Sequence, residues 1–164
     1  MALQSKMTVY AALAGVLAMM GGIVYYASLD TVHLEQAEIE LTSVELKDVN
    51  TINNQAKFDI TFLVKNPSDK TFTVAVIDYQ LYTDGVLLGS GQYSTVDISM
   101  PGRAIFYSGA EVPLKSTFVL NKSEVNSEIY EAMIDNRINS FTAEGMLTTQ
   151  TSWTTIDKEF KTGF

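Results

Sequence analysis

Between Lys6 and Asp30 the chain carries no charged side chain. This gap, the 23 residues Met7–Leu29, constrains the fold more than any other feature. As a helix it would span about 34 Å at 1.5 Å per residue. The hydrocarbon core of a bilayer is about 30 Å thick, so the run can cross it with modest tilt. Tyr10 stands near one end, with Tyr25 and Tyr26 near the other, where interfacial aromatics belong. The run is longer than the apolar region of a cleaved signal peptide. A small-x-small cleavage pattern is also missing at its exit, because Tyr25 and Tyr26 stand three residues before Ser28 and Leu29. The expectation is an uncleaved signal anchor. Lys6 lies on the short side, and Asp30, Glu35, Glu38 and Glu40 follow on the other. The positive-inside tendency then puts residues 1–6 in the cytoplasm, a transmembrane helix over 7–29 and residues 30–164 outside the cell membrane. Ala11, Ala14, Gly15, Ala18 and Gly22 fall on a small-residue spacing that lets a second helix approach closely. The lipid bilayer is the expected partner, with a membrane protein as a second partner along that stripe.

Charge and composition narrow the remainder. Acidic residues outnumber basic ones 19 to 11, for a net charge of −8. Nucleic acid and anionic headgroups are poor partners for such a surface. The absence of cysteine excludes disulfides, thiol catalysis and Cys-type zinc sites.

Residues 37–164 read almost entirely as strands, after a short stalk over 30–36. Ala37, Ile39 and Leu41 alternate with polar residues, and Val44 and Leu46 continue after a phase slip, which suggests a bulge. Phe58, Ile60, Phe62 and Val64 give the cleanest period-2 segment, ended by Asn66-Pro67-Ser68-Asp69. Phe72, Val74 and Val76 open the next strand, and Ile77, Tyr79 and Leu81 continue it in the opposite phase. Asp84-Gly85 between apolar pairs predicts a two-residue hairpin. Gly89 and Gly91 suggest a bulge or a crowded backbone. Val96, Ile98 and Met100 alternate before a type II turn at Pro101-Gly102. Val112, Leu114, Phe118 and Leu120 form a further strand, in which Pro113 implies an edge or a bulge. Ser123 is the expected cap of one helix with the stripe Val125, Ile129, Ala132 and Met133. Phe141, Ala143, Gly145 and Leu147 resume strand alternation, and Trp153, Ile156 and Phe160 mark the last strand. Turn signals every ten to twelve residues favour an antiparallel arrangement. The expected fold is an all-β sandwich, immunoglobulin- or fibronectin-III-like, of two antiparallel sheets and about seven strands. One short α-helix belongs to it, and a single transmembrane helix precedes it.

The stretch Phe58–Gln92, FDITFLVKNPSDKTFTVAVIDYQLYTDGVLLGSGQ, resembles the group 2 late-embryogenesis-abundant proteins, whose module is the water-stress and hypersensitive-response (WHy) domain. Asn66, Pro67, Tyr79, Leu81, Tyr82, Gly85, Gly89 and Gly91 carry the resemblance. It implies a seven-stranded antiparallel sandwich with one helix, no enzymatic activity, and an association with desiccation, cold and osmotic stress. Some members of the family are membrane-anchored.

No chemistry-bearing constellation emerges. Gly89-Ser90-Gly91 has neither the G-x-S-x-G pattern of a nucleophile elbow nor a following Gly-Lys-Ser/Thr. His33 is the single histidine and cannot build a triad alone. A calcium site would need oxygens converging from several loops, for which Asp48, Asp69, Asp84 and Asp97 are the available carboxylates; a solvated acidic face is the reading taken. Asn121-Lys122-Ser123 is the one sequon, making Asn121 a glycosylation candidate. No residue is assigned as catalytic, cofactor-binding or metal-ligating, and no cofactor is expected. The leading expectation is a non-enzymatic, membrane-anchored stress-protection or binding module. Two alternatives are an accessory subunit of a membrane complex and a subunit of a surface filament or its stator.

Overall fold

In the computed structural model the described residues are 2–96 and 103–164, with the side chains of 2–5 and 30 left aside. The expected turn at Pro101-Gly102 and its preceding residues Ile98 and Met100 lie outside the described residues. A helix, α1 (Ala2–Glu35), is followed by β1 (Glu38–Asn50), β2 (Gln55–Lys65), β3 (Phe72–Thr83), β4 (Val86–Ser94), β5 (Ile105–Phe106), β6 (Glu111–Asn121), α2 (Ser127–Ile134), β7 (Thr142–Gln150) and β8 (Thr155–Gly163). All strand pairs are antiparallel. One sheet has the order β1-β2-β6; the other has β4-β3-β7-β8, with the short β5 also on β3. This is the two-sheet sandwich that the alternation predicts, with eight described strands.

Period-2 alternation decides which side chains meet between the sheets. Phe58, Ile60, Phe62 and Val64 of β2 are buried, as are Ile77, Tyr79 and Leu81 of β3 and Leu114, Phe118 and Leu120 of β6. Burying each such side chain contributes about 1.5–3 kcal/mol before entropy is counted. Phe62 sits at the centre, edge-on to Tyr79 (centroids 4.9 Å apart) and to Phe160 (6.0 Å). The phase slips are bulges. Register shifts between Leu41 and Ser43 and between Leu46 and Asp48 leave Thr42 and Lys47 as the extra residues of β1. A shift between Val74 and Val76 lets Val74, Ala75 and Ile77 all be buried. Pro113 stands on β6, an edge strand, where a missing N–H is tolerated.

Asp84 (φ 47°) and Gly85 (φ 79°) both take the left-handed conformation, as a type I′ hairpin requires. The turn after β1 ends on Asn54 at φ 51°.

Three local expectations are corrected. The cap of α2 is Asn126, whose side chain accepts from the Glu128 N–H; Ser123 lies outside the helix, which buries Tyr130 and Met133 and ends at Ile134. Trp153 is not in the last strand but in the β7–β8 turn, because Thr151 Oγ1 accepts from the N–H groups of Trp153 and Thr154 and closes the hairpin before β8 begins. Residues 30–36 do not form a separate stalk. The helix runs through them to Glu35, and Leu34 and Ala37 are already core residues.

Candidate functional site

The first candidate surface is α1. It is 34 residues, about 51 Å at the helical rise, and its apolar stretch is long enough to cross a membrane, with none of that stretch buried against the sandwich. Leu13, Leu17, Met20, Ile23 and Tyr26 are each more than half exposed. Ala11, Ala14, Gly15, Ala18 and Gly22 are exposed as well, and a Cβ built on Gly15 or Gly22 would meet nothing within 4 Å.

The second is the junction where α1 enters the sandwich. Leu34 is 1% exposed and Ala37 is fully buried. The Ala37 N–H donates to the Leu34 carbonyl at 3.2 Å, closing the last turn. The Glu35 carbonyl, orphaned at the helix end, and the Ala37 carbonyl just beyond it both accept from Lys158 Nζ on β8 at 2.7 Å. An ammonium there also complements the negative end of the helix dipole. His33 Nδ1 lies 3.2 Å from Asp69 Oδ1 in the β2–β3 loop. Helix and sandwich are therefore joined by packing, hydrogen bonds and charge. Sequence reasoning missed Leu34 and Lys158. The available signal was an isolated leucine and an alanine three apart, in a segment otherwise too polar to suggest burial.

The residues that carry the family resemblance come next, and the structure gives most of them architectural work. Asn66 is buried, and its Nδ2 donates to the carbonyls of Lys70 (2.7 Å), Phe106 (2.8 Å) and Tyr107 (3.1 Å). Its Oδ1 accepts from the Ser68 N–H and Oγ–H. This one amide ties the β2–β3 loop to the β5–β6 loop. Pro67 is exposed beside it. Tyr79 crosses the core to donate to Ser116 Oγ at 3.0 Å, and Ser116 donates to the Gln92 carbonyl at 3.0 Å, linking β3, β6 and β4. Burial holds the Tyr79 phenol above its ordinary pKa, partly offset by the Ser116 bond. Gly91 lies under that ring, and a Cβ there would collide with it. At Gly89 (φ 150°) a Cβ would press on Phe118 at 3.2 Å. Leu81 is core, and Tyr82 lies on the outer face, donating to Gln80 Oε1 at 2.7 Å.

That outer face forms an open dish of about 1020 Å³ over β4, β3, β7 and β8. Its polar groups pair among themselves: Gln92 donates to Asp78 at 2.6 Å, and Lys161 pairs with Glu144 at 2.6 Å. Asp69 lies at the α1 end of the sandwich, while Asp84 lies at the other end, so the fold does not gather the loop carboxylates; Asp97 lies outside the described residues. Among the described residues no group of three His, Asp or Glu side chains could hold a metal ion. Glu40 pairs with Lys65 at 2.8 Å. Asn121 ends β6, accepting from Gln55 Nε2 and donating to Glu124 Oε1, each at 2.8 Å. Ser90 is an exposed strand residue between its glycines.

No family model and no curated protein matches the chain. Solved structures do. A protein from Archaeoglobus fulgidus is similar at 16% identity over 76% of this chain and 96% of its own, with a TM-score of 0.46. A protein of Arabidopsis thaliana, solved in solution, is similar at 18% identity over 77% of this chain and 80% of its own, with a TM-score of 0.47. A candidate late-embryogenesis-abundant protein shares 12% identity over 92% of this chain and 86% of its own, with a TM-score of 0.36. Likenesses this distant carry no argument about activity.

Proposed function

We propose that the chain is a single-pass membrane protein whose β-sandwich stands outside the cytoplasm and works, without catalysis, as a protective or binding module of the WHy type. The observation that carries the anchoring is the bare apolar surface of α1. A water-soluble protein would leave more than a dozen large apolar side chains in water there, at a cost of order 25 cal/mol per Å². Lipid removes that cost. The stress-protection part rests on the resemblance at Asn66–Gly91. Full-length protein in membranes should resist alkaline carbonate extraction and float with lipid; release into the supernatant removes the reading. Vesicles carrying the chain should keep a labile client enzyme active through drying better than vesicles carrying an inert acidic anchor protein. Equal survival would leave the anchor and remove the protective role.

A second reading, an accessory subunit of a membrane complex, is favoured by the open Ala14/Ala18/Gly22 stripe. Mild detergent should then co-purify a stoichiometric partner that Gly22→Leu loses.

A further inference from the structure

We propose that the α1 end of the sandwich is itself a membrane-contact site, with Trp153 and Tyr107 seated in the headgroup layer of the bilayer that α1 crosses. The inference rests on the anchoring reading and adds a second, interfacial attachment to it.

The distance is set by the missing stalk. From Leu29, the last residue of the apolar run, to Glu35, where α1 is clamped to β8, is six helical residues, about 9 Å. The polar layer on each side of a bilayer is about 5–8 Å deep. The sandwich therefore begins at the outer limit of the headgroups, and anything projecting back from that end enters them.

The β7–β8 hairpin projects back. Lys158 reaches Ala37, and the Leu41 N–H donates to Thr162 Oγ1, so β8 runs beside β1 in the same direction. Moving backwards from Lys158 to Thr155 covers three residues, up to about 10 Å, toward the side from which α1 arrives. Trp153 lies beyond, at the tip of that hairpin, 82% exposed. The tip is firm, since the Thr151 N–H donates to the Thr154 carbonyl at 2.8 Å and Thr151 Oγ1 accepts two further N–H groups. Tyr107 stands at the same end. Its carbonyl is held by Asn66, which adjoins the loop whose Asp69 meets His33. Tyr107 is 64% exposed.

Both ends expose aliphatic groups, Val96 and Ile105 here and Ile52, Val86 and Leu87 at the far end, where Phe164 is packed on Phe141. What separates this end is the exposed indole and phenol. Indole and phenol, with an apolar body and a polar tip, are the side chains that favour the boundary between lipid and water. With a net charge of −8, the contact draws on aromatic partitioning rather than on attraction to anionic lipid, so it is expected on a zwitterionic bilayer.

Trp153 is the only tryptophan, so its emission reports the contact directly. The full chain is reconstituted in phosphatidylcholine vesicles and confirmed to float with them. A Trp153→Phe, Ile52→Trp double variant places the reporter at the far end as a control. The expected result is a blue-shifted Trp153 emission that loses most of its intensity when the acyl chains are brominated near the headgroup. It should also resist aqueous iodide, while the control does the reverse on all three counts. A floating protein whose Trp153 behaves like the control overturns the inference and leaves the anchor standing. Shielding from iodide without quenching by brominated lipid also overturns it, because it marks a contact with protein. A chain that does not float removes both readings.

Discussion

The helix α1 and the sandwich use the same kinds of side chain to opposite ends. Leu17 in α1 is 62% exposed, and Leu81 in β3 is fully buried. In the sandwich, period-2 alternation turns apolar residues toward a second sheet and leaves a mostly polar outer face on the long strands. In α1, apolar residues occupy every side of the helix, so no single neighbouring surface in the chain could cover them. The sandwich makes its own apolar surroundings as a packed core, while the chain provides none for α1, which is why we propose that lipid does. The change occurs within four residues, Leu34 to Ala37, where the chain passes from bare helix to buried strand entry.

The sharpest way to break this contrast is to make the same deletion on both sides. Leu81→Ala should lower stability by about 2–5 kcal/mol, as expected for a core cavity. Leu17→Ala should change the unfolding of the sandwich by less than about 0.5 kcal/mol. Chemical denaturation of the purified full chain in detergent measures both, and equal losses would mean that α1 belongs to the core. Next is Asn66→Ala, which strips donors from the Lys70, Phe106 and Tyr107 carbonyls at once. A loss of about 3 kcal/mol is expected by the same denaturation, and a neutral result would deny that the resemblance residues serve the fold. At the boundary, Lys158→Met frees the Glu35 and Ala37 carbonyls. Hydrogen exchange of amides 34–37 should accelerate by an amount worth about 1.5–3 kcal/mol, while exchange in β2 and β3 stays unchanged. The smallest effect is Tyr79→Phe, about 1 kcal/mol for the bond to Ser116. It carries a pH signature. A raised phenol pKa means that the folded chain keeps this proton longer than the unfolded one. That contribution is whole below about pH 10 and is lost as pH rises through the folded pKa. Wild type should therefore lose stability more steeply than the variant in alkaline titrations of the unfolding midpoint.

Much of this was legible in the sequence, for a physical reason: where one pattern dictates one environment, it can be read. The uncharged run, the alternation Phe58–Val64 and the Asp84-Gly85 turn are local rules with a single outcome. Gly89 and Gly91 fit either a bulge or crowding by sequence, and the structure has both: a register shift beside Gly89 and the Tyr79 ring over Gly91. The opposite phases of Val74 and Ile77 are visible in the sequence too, and the structure absorbs the change in a bulge at Ala75. What stayed hidden depends on partners far along the chain. Leu34 reads as a lone leucine among charges until β8 packs beside the end of α1, and Lys158 reads as a surface lysine until α1 ends beside it. Trp153 reads by sequence as part of the last strand; Thr151 instead closes the turn early and leaves the indole outside. Gly145 gave no warning that a side chain there would strike the Asp78 carbonyl, since close approach between β3 and β7 is a property of the assembled sheet. The candidate surfaces lie where such long-range facts accumulate, at the junction and at the end of the sandwich that faces it.

On the proposed anchoring, α1 lies in lipid and the sandwich in water beyond it. Because the chain has no cysteine, single cysteines can be placed at Ser5, Val16 and Ile52 and challenged in intact cells with a membrane-impermeant maleimide. The account predicts that Ile52→Cys is labelled from outside, Ser5→Cys only after the cells are permeabilised, and Val16→Cys in neither case. Labelling of Val16→Cys as readily as Ile52→Cys would contradict it.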